Sequence, residues 1–280
     1  MTKLRNYIKL MRPKHYIKNL LLFAPLIYSQ SLPHGVVWFS AAAFAAFCLA
    51  ASAIYVVNDI FDSEKDALHP VNKTRPIASG RVGKKQAVFF AALLLAACFA
   101  LIFALGMWFV ALFAGIYVVL NLVYSLKLKH YPIVDCFCIA AGFVLRIYAG
   151  GAAISVEISE WMFLTVAAAA LFMAFGKRRG EMMQVGGHGR QSLAKYNLGA
   201  LNAMMFVCMG LAMVFYALWA ISGVPLMIYT VPLIIFIGCR YLLAISHKKS
   251  HGDPVSVILG DKVLVASIAL FGVLSFVFLY

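Results

Sequence analysis

Long apolar stretches alternate with short polar ones along almost the whole chain. The apolar runs, about 17 to 24 residues each, are long enough to cross a hydrocarbon core as helices. They predict nine membrane-spanning helices, over residues 15–30, 36–57, 86–105, 107–124, 133–152, 160–176, 198–221, 224–245 and 260–280. The first has the weakest pattern, because Pro25 interrupts it and its opening turns are polar.

The polar connections fall into two classes. Basic clusters occupy every alternate connection: Lys3 to Lys18 in the N-terminal arm, Lys65 to Lys85, Lys127 with Lys129, Lys177 to Lys195, and Lys248 to Lys262. The opposite connections, SLPHG, LG, SVEISE and SGVP, contain no Lys or Arg. Positively charged loops stay on the cytoplasmic side, so the N-terminus and the long connections are predicted to be cytoplasmic and the C-terminus outside, as in a bacterial-type plasma membrane protein.

Composition agrees. The 280 residues are 64% hydrophobic and only 12% charged, about half the charged fraction of an ordinary soluble domain. The expected fold is an all-α polytopic membrane protein, a single membrane-embedded unit over 1–280. A basic amphipathic arm (1–18) precedes it, and its two polar cytoplasmic loops cover 58–85 and 177–197. Those loops follow the second and sixth spans, the spacing a duplicated four-helix unit would give, without a residue-level repeat. No short charged region followed by an apolar run and a small-residue cleavage site opens the chain, so no signal peptide is expected. The net charge of +14 is accounted for largely by cytoplasmic loops and anionic lipid, not by nucleic acid. The six cysteines lie in apolar segments without a CxxC pair and read as small buried hydrophobes; the seven histidines lack zinc-ligand spacing.

Charge alone leaves residues 58–66, NDIFDSEKD, unexplained. Four of the ten acidic residues fall in these nine positions, at the end of an apolar run. On a helix Asp59, Asp62 and Asp66 stand at i, i+3 and i+7, and Asn58 and Asp62 at i, i+4, so all four project from one face. Like charges this close require a compensating cation, and oxygen-only donors suit a hard one, Mg²⁺ or Mn²⁺. Mg²⁺ completes its shell with water and phosphate, which makes a diphosphate the natural partner. In a soluble protein the same pattern would read as a solvated helix end; the scarcity of acids here favours a site. Lys73 and Arg75 follow in a loop broken by Pro70, Pro76 and Gly80, positioned to clamp phosphate oxygens as well as to anchor the loop. Arg146 lies within an apolar span, where arginine is costly and faces a polar cavity, an anion or a structural partner. Asp135 is about 16 Å away along the same helix, too far to pair with it directly.

NDIFDSEKD fits the NDxxDxxxD motif of the UbiA superfamily of intramembrane prenyltransferases, and RPIASGRV resembles the segment that follows it there. The resemblance extends over essentially the whole chain and implies a nine-helix UbiA-like bundle with a cytoplasm-facing polar cavity. RPKHYIKNLLLFAPL, YSLKLKHYPIVDCFCIAAGFVLRIYAGG, GKRRGEM and GDPVSVILGDK are similar to the branch of that superfamily that moves phosphoribose onto polyprenyl phosphates. Other members resemble one another in a second aspartate-rich motif after the sixth helix. Here GKRRGEMMQVGGHGRQSLAKY has one acid, Glu181, and five basic residues. Acids at one place and bases at the other suit one metal-bound diphosphate and separate phosphate groups.

The implied activity is Mg²⁺-dependent transfer of 5-phosphoribose from phosphoribosyl diphosphate (PRPP) to a polyprenyl phosphate of decaprenyl type, a pentosyltransferase step of cell-envelope synthesis. Asn58, Asp59, Asp62 and Asp66 would hold the metal. Lys18, Lys73, Arg75, Tyr124, Lys129, Arg146, Lys177, Arg178 and Arg179 would contact phosphates. Family members often carry a tyrosine and a lysine four apart near Tyr124; the spacings here, to Lys127 and Lys129, are three and five, so either lysine fits that role. Lys18 and Asn19 match the family's KN pair, although a basic helix lying on headgroups explains the arm equally well. The partners implied are PRPP, polyprenyl phosphate and the bilayer, in a monomer or a homo-oligomer. The alternative activity is prenyl transfer from a prenyl diphosphate to an aromatic or lipid acceptor. A transporter would need paired charges or broken helices near mid-membrane, for which only Arg146, with Asp135 nearer the helix end, offers anything.

Overall fold

The structure, a computed structural model, describes residues 2–32, 35–68, 72–185, 193–246 and 254–280. Arg190, Lys248, Lys249, Pro70 and the start of GDPVSVILGDK lie outside them.

Twelve α-helices run in chain order among the described residues: α1 Thr2–Met11, α2 Ala24–Tyr28, α3 Val37–Phe61, α4 Ser63–Leu68, α5 Lys84–Ala104, α6 Trp108–Leu126, α7 Val134–Ala153, α8 Glu160–Val185, α9 Leu198–Ser222, α10 Val231–Ser246, α11 Pro254–Gly260 and α12 Lys262–Leu279. Eight segments are long and apolar enough to cross a membrane: α3, α5, α6, α7, α8, α9, the stretch Pro225–Ser246 that ends in α10, and α12. Each coincides with a predicted span. The remaining one, 15–30, is built differently: a 3-10 helix over Pro13–Phe23 passes into the short α2 at Pro25. Proline at N1 or N2 lacks a donor that is unsatisfied there anyway, so Pro25 starts a helix here instead of breaking one.

The chain is thus a multi-pass membrane protein, and it divides into two compact units. One holds residues 1–126 and 145–157, the other 127–144 and 158–280, so the division falls within α7. In the first unit α3 packs chiefly against α5. Its buried face is a stripe of small residues, Ala43, Ala46, Ala50 and Ala53, which lets neighbouring backbones approach closely. Trp38 and Trp108, exposed at the starts of α3 and α6, suit a membrane–water interface. The second unit is built on the α8–α9 pair, around Phe172, Phe175, Leu201 and Met205.

Two predicted loops are more helical than the pattern suggested. α8 does not stop at 176 but carries Lys177, Arg178, Arg179 and Glu181 within it. The 58–85 connection contains the last turn of α3, α4, a 3-10 turn at Asn72–Thr74, and then turns up to α5.

Candidate active site

In the first unit the acidic motif straddles a helix break. α3 ends at Phe61, Asp62 takes φ −88° and ψ −1°, and α4 begins at Ser63. The path stays near-helical, since Asp62 N donates to Asn58 O (2.9 Å) and Asp66 N to Asp62 O (2.8 Å). Asp59 and Asp66 are both buried and converge on one guanidinium: Arg75 Nη1 lies 2.5 Å from Asp66 Oδ2 and 3.3 Å from Asp59 Oδ1. Asn58 is turned towards α6 and accepts a hydrogen bond from Ser125 Oγ. Asp62 is half-buried.

A second cation completes the cluster. Arg12 Nη2 pairs with Asp59 Oδ1, and its guanidinium lies 5.1 Å from the centre of the Tyr55 ring. Arg12 sits between α1 and the 3-10 helix with φ +52°, an uncommon conformation for a residue with a Cβ, and Pro13 follows it. Asn72 Nδ2 donates to Asp66 Oδ1 at 2.9 Å. Lys73 is exposed in the same loop, while Lys18 and Tyr124 are half-buried.

Among the described residues no three His, Cys, Asp or Glu side chains are arranged to hold a metal. The donor chemistry nonetheless fits a hard cation. Two buried carboxylates approach one positively charged group, and the donors are all oxygen, which leaves remaining positions for water and phosphate.

Arg146, on the second half of α7, is 5% exposed and faces the interior of the first unit. Its Nε donates to Asn19 Oδ1 (2.7 Å), its Nη2 donates to Tyr117 Oη (3.1 Å), and the guanidinium lies 4.7 Å from the centre of the Tyr117 ring. Asn19 Nδ2 in turn reaches Cys48 Sγ at 3.2 Å. The asparagine of the KN pair is thus a partner of the intramembrane arginine. As the spacing predicts, Asp135 pairs elsewhere.

In the second unit Asp135 and Arg178 are both fully buried, with Arg178 Nε 2.7 Å from Asp135 Oδ2. Arg178 also pairs with Glu181, three residues on. Asp135 Oδ1 accepts from Cys136 N (2.9 Å) and Tyr196 Oη (3.2 Å), and burial pushes the Tyr196 phenol well up. Arg179 Nε donates to Asn202 Oδ1 (2.8 Å) and its Nη1 to Ile245 O (3.2 Å), tying α8 to α9 and α10. The expectation that Arg178 and Arg179 sit in a loop is therefore corrected: both lie within α8. Their charges and hydrogen bonds are used inside this unit, which is also why α8 continues past 176. Lys177 and Lys129 are half-buried and Lys127 is exposed.

The residues that sequence reasoning left out of the site are Arg12, Asn72, Ser125 and Tyr117. Arg12 carried the only usable signal, a cation immediately before a proline in a basic arm.

Residues 20–256 match the UbiA prenyltransferase family. The decaprenyl-phosphate phosphoribosyltransferase of Corynebacterium glutamicum is 37% identical over 276 residues, covering 92% of this chain and 81% of that one. The enzyme of the same name from Mycobacterium tuberculosis is 32% identical over 277 residues, covering 92% and 88%. Among solved structures, a UbiA homologue from Archaeoglobus fulgidus bound to GPP and Mg²⁺ superposes with a TM-score of 0.78 at 18% identity, covering 98% of this chain and 99% of that one. A digeranylgeranylglyceryl phosphate synthase gives 0.71 at 23%, covering 99% of each chain. With a family match over residues 20–256 and most of its length in common with these relatives, the chain belongs to the UbiA prenyltransferase family.

Proposed function

We propose that this protein transfers 5-phosphoribose from PRPP to a polyprenyl phosphate at the cytoplasmic face of the membrane, releasing diphosphate. The observation that carries the reading is the convergence of buried Asp59 and Asp66 on Arg75, with Arg12 beside them. Carboxylates for a metal and guanidinium groups for phosphate oxygens occupy the same few ångströms. The names of the curated relatives point the same way.

Asn58, Asp59, Asp62 and Asp66 would hold Mg²⁺ or Mn²⁺. The metal's contribution is to neutralise charge on the departing diphosphate. Arg75 and Arg12 bind and orient the diphosphate oxygens, a task for which a planar fork of donors is suited. Lys73 and Lys18 supply further positive charge for the 5-phosphate and the acceptor. The ribose C1–O bond to diphosphate breaks with its electron pair leaving on the diphosphate, and an oxygen of the polyprenyl phosphate forms the new bond to C1. That oxygen is already anionic near neutral pH, so no side chain has to remove a proton. The protein contributes position and charge.

The test is purified protein in detergent with Mg²⁺, labelled PRPP and polyprenyl phosphate. Label should move to the lipid, and Asp62→Asn should abolish transfer while the protein stays folded. Absence of lipid labelling, together with prenyl transfer from a prenyl diphosphate to an aromatic or lipid acceptor, would replace this reading with the alternative activity.

A further inference from the structure

A groove of about 880 Å³ lies in the first unit between α1, the start of the 3-10 helix and the loop before α5. Five of its lining residues are cationic, Arg5, Lys9, Arg12, Lys14 and Arg81, and none is acidic. Its size is that of a small-molecule site.

The construction of α1 explains the charge. Arg5 and Lys9 stand at i and i+4 on one face of α1, and Arg12, just past the end of the helix, lines the same groove. The opposite side holds the helix in place: Leu10 is fully buried, and the Tyr7 ring packs edge-on against Phe90 at 4.9 Å. Arg81, across the groove, is fixed by its own bonds to Ser79 Oγ and Thr74 O. Among the described residues Arg5, Lys9 and Lys14 make no ion pair, so the groove concentrates positive charge that the protein itself does not neutralise. Loop charges that serve only to anchor a protein on anionic headgroups need no concave arrangement. Here they line a concavity.

The surroundings specify the ligand further. Leu4 and Ile8 on α1, and Ile17 and Leu20 on the 3-10 helix, are exposed apolar side chains beside the basic residues. A ligand with an anionic head and an apolar chain would match both surfaces. Several cations around one head suit a phosphate monoester, which carries about −1.5 to −2 near neutral pH and three terminal oxygens. Arg12 faces this groove and also pairs with Asp59, so a head bound here lies next to the acidic pair without entering it.

We infer that the groove binds the phosphate of a lipid phosphate monoester, and that it is where the acceptor lipid is held. This rests on the phosphoribosyl-transfer reading for the identity of the acceptor, though the charge and shape of the groove do not depend on it.

The test is the Arg5→Ala/Lys9→Ala double variant in nanodiscs of zwitterionic lipid, titrated with farnesyl phosphate, inorganic phosphate and PRPP. A second set of discs contains phosphatidylglycerol. Affinity for farnesyl phosphate should fall roughly 30-fold, as expected for removing two interfacial cations at about 1 kcal/mol each. PRPP affinity should hold, and Arg5→Lys/Lys9→Arg should restore farnesyl phosphate binding. An unchanged farnesyl phosphate affinity in a folded variant overturns the site. So does a loss confined to phosphatidylglycerol discs, which would make the groove a bilayer anchor. Inorganic phosphate binding as tightly as farnesyl phosphate, with the same loss, would make it a free-phosphate site and overturn the lipid assignment. Intact groove binding without phosphoribosyl transfer counts against the transfer reading alone; intact transfer with an unchanged acceptor KM in the double variant counts against the groove alone.

Discussion

Arg75 holds Asp66 at 2.5 Å and reaches Asp59 with the same nitrogen at 3.3 Å. One half-buried guanidinium thus bridges two buried carboxylates that would otherwise repel, with Arg12 supplying the second positive charge. Replacing it, Arg75→Ala, leaves Asp66 with Asn72 and Asp59 with Arg12. Turnover should drop by about 100-fold or more, the size of effect for losing a preorganised charge on a transferring phosphate. Without divalent metal the thermal midpoint should also fall, and Mg²⁺ should raise it by a larger increment than in the unmodified protein. Melts in EDTA and in Mg²⁺ check this; equal increments in the two proteins would mean that Arg75 is not the counter-charge of a cation site.

Arg178 leads to the opposite kind of prediction. It is fully buried against an equally buried Asp135, so Arg178→Ala strands a carboxylate in a low-dielectric interior. Breaking such a pair from one side costs about 3–5 kcal/mol, whereas replacing both partners costs far less. Arg178→Met combined with Asp135→Asn should therefore recover much of the stability lost in the single variant. Denaturant unfolding in mild detergent measures it. Turnover per folded molecule should persist in the double variant, and its loss with stability intact would return Arg178 to the phosphate-binding role expected from the sequence.

The contrast between these arginines shows what the sequence made legible. Segment positions came from run length, and eight of nine hold because hydrocarbon thickness leaves little freedom. The acidic cluster was visible because four acids in nine residues are conspicuous in a chain that has ten. The use of each cation was not visible. Arg75, Arg146 and Arg178 all lie near polar or membrane-buried sequence, and only tertiary partners separate them: Asp66 for one, Asn19 and Tyr117 for another, Asp135 for the third. Such partners stand up to 127 residues apart in the chain. Pattern periodicity carries no information at that range. The break at Asp62 was likewise hidden, since i, i+3, i+7 spacing describes an unbroken helix.

A pH dependence follows from Asp261. It caps α12 by accepting from Leu264 N at 3.0 Å, and it accepts from Arg240 Nε of α10 at 2.9 Å. The backbone N–H of Leu264 first, and then the Arg240 hydrogen bond, lower its pKa below the usual carboxylate value. A depressed folded pKa contributes stability above the unfolded value, about 3.9, and loses it as pH falls through the folded value. The acid limb of the stability profile below about pH 4 should therefore be shallower in Asp261→Asn, which can still accept the capping bond but carries no charge. Thermal midpoints between about pH 5 and pH 2.5 test it, and superimposable slopes would count against any such contribution.

Gly150 gives the sharpest packing prediction, because its neighbour is backbone. A Cβ built there would stand 2.2 Å from Leu22 O and 2.9 Å from Leu22 C, so Gly150→Ala must push the 3-10 helix away from α7. Side chains can rotate out of such a clash, whereas a carbonyl held in a helix cannot. The consequence reaches one turn along both elements. Arg146 lies four residues before Gly150, Asn19 lies three before Leu22, and these two share the 2.7 Å hydrogen bond. Displacing Leu22 should lengthen or break that bond and leave a buried arginine with less than its present set of acceptors. Overpacking alone costs about 1–3 kcal/mol, and the lost bond adds to it. The two effects share a cause, so Gly150→Ala and Asn19→Ala should be non-additive: the double variant should be less destabilised than the sum of the singles by at least about 0.5 kcal/mol. A double-mutant cycle on unfolding free energy measures this. Strict additivity would show that the close approach of α7 to Leu22 and the Arg146–Asn19 bond are independent features of the first unit.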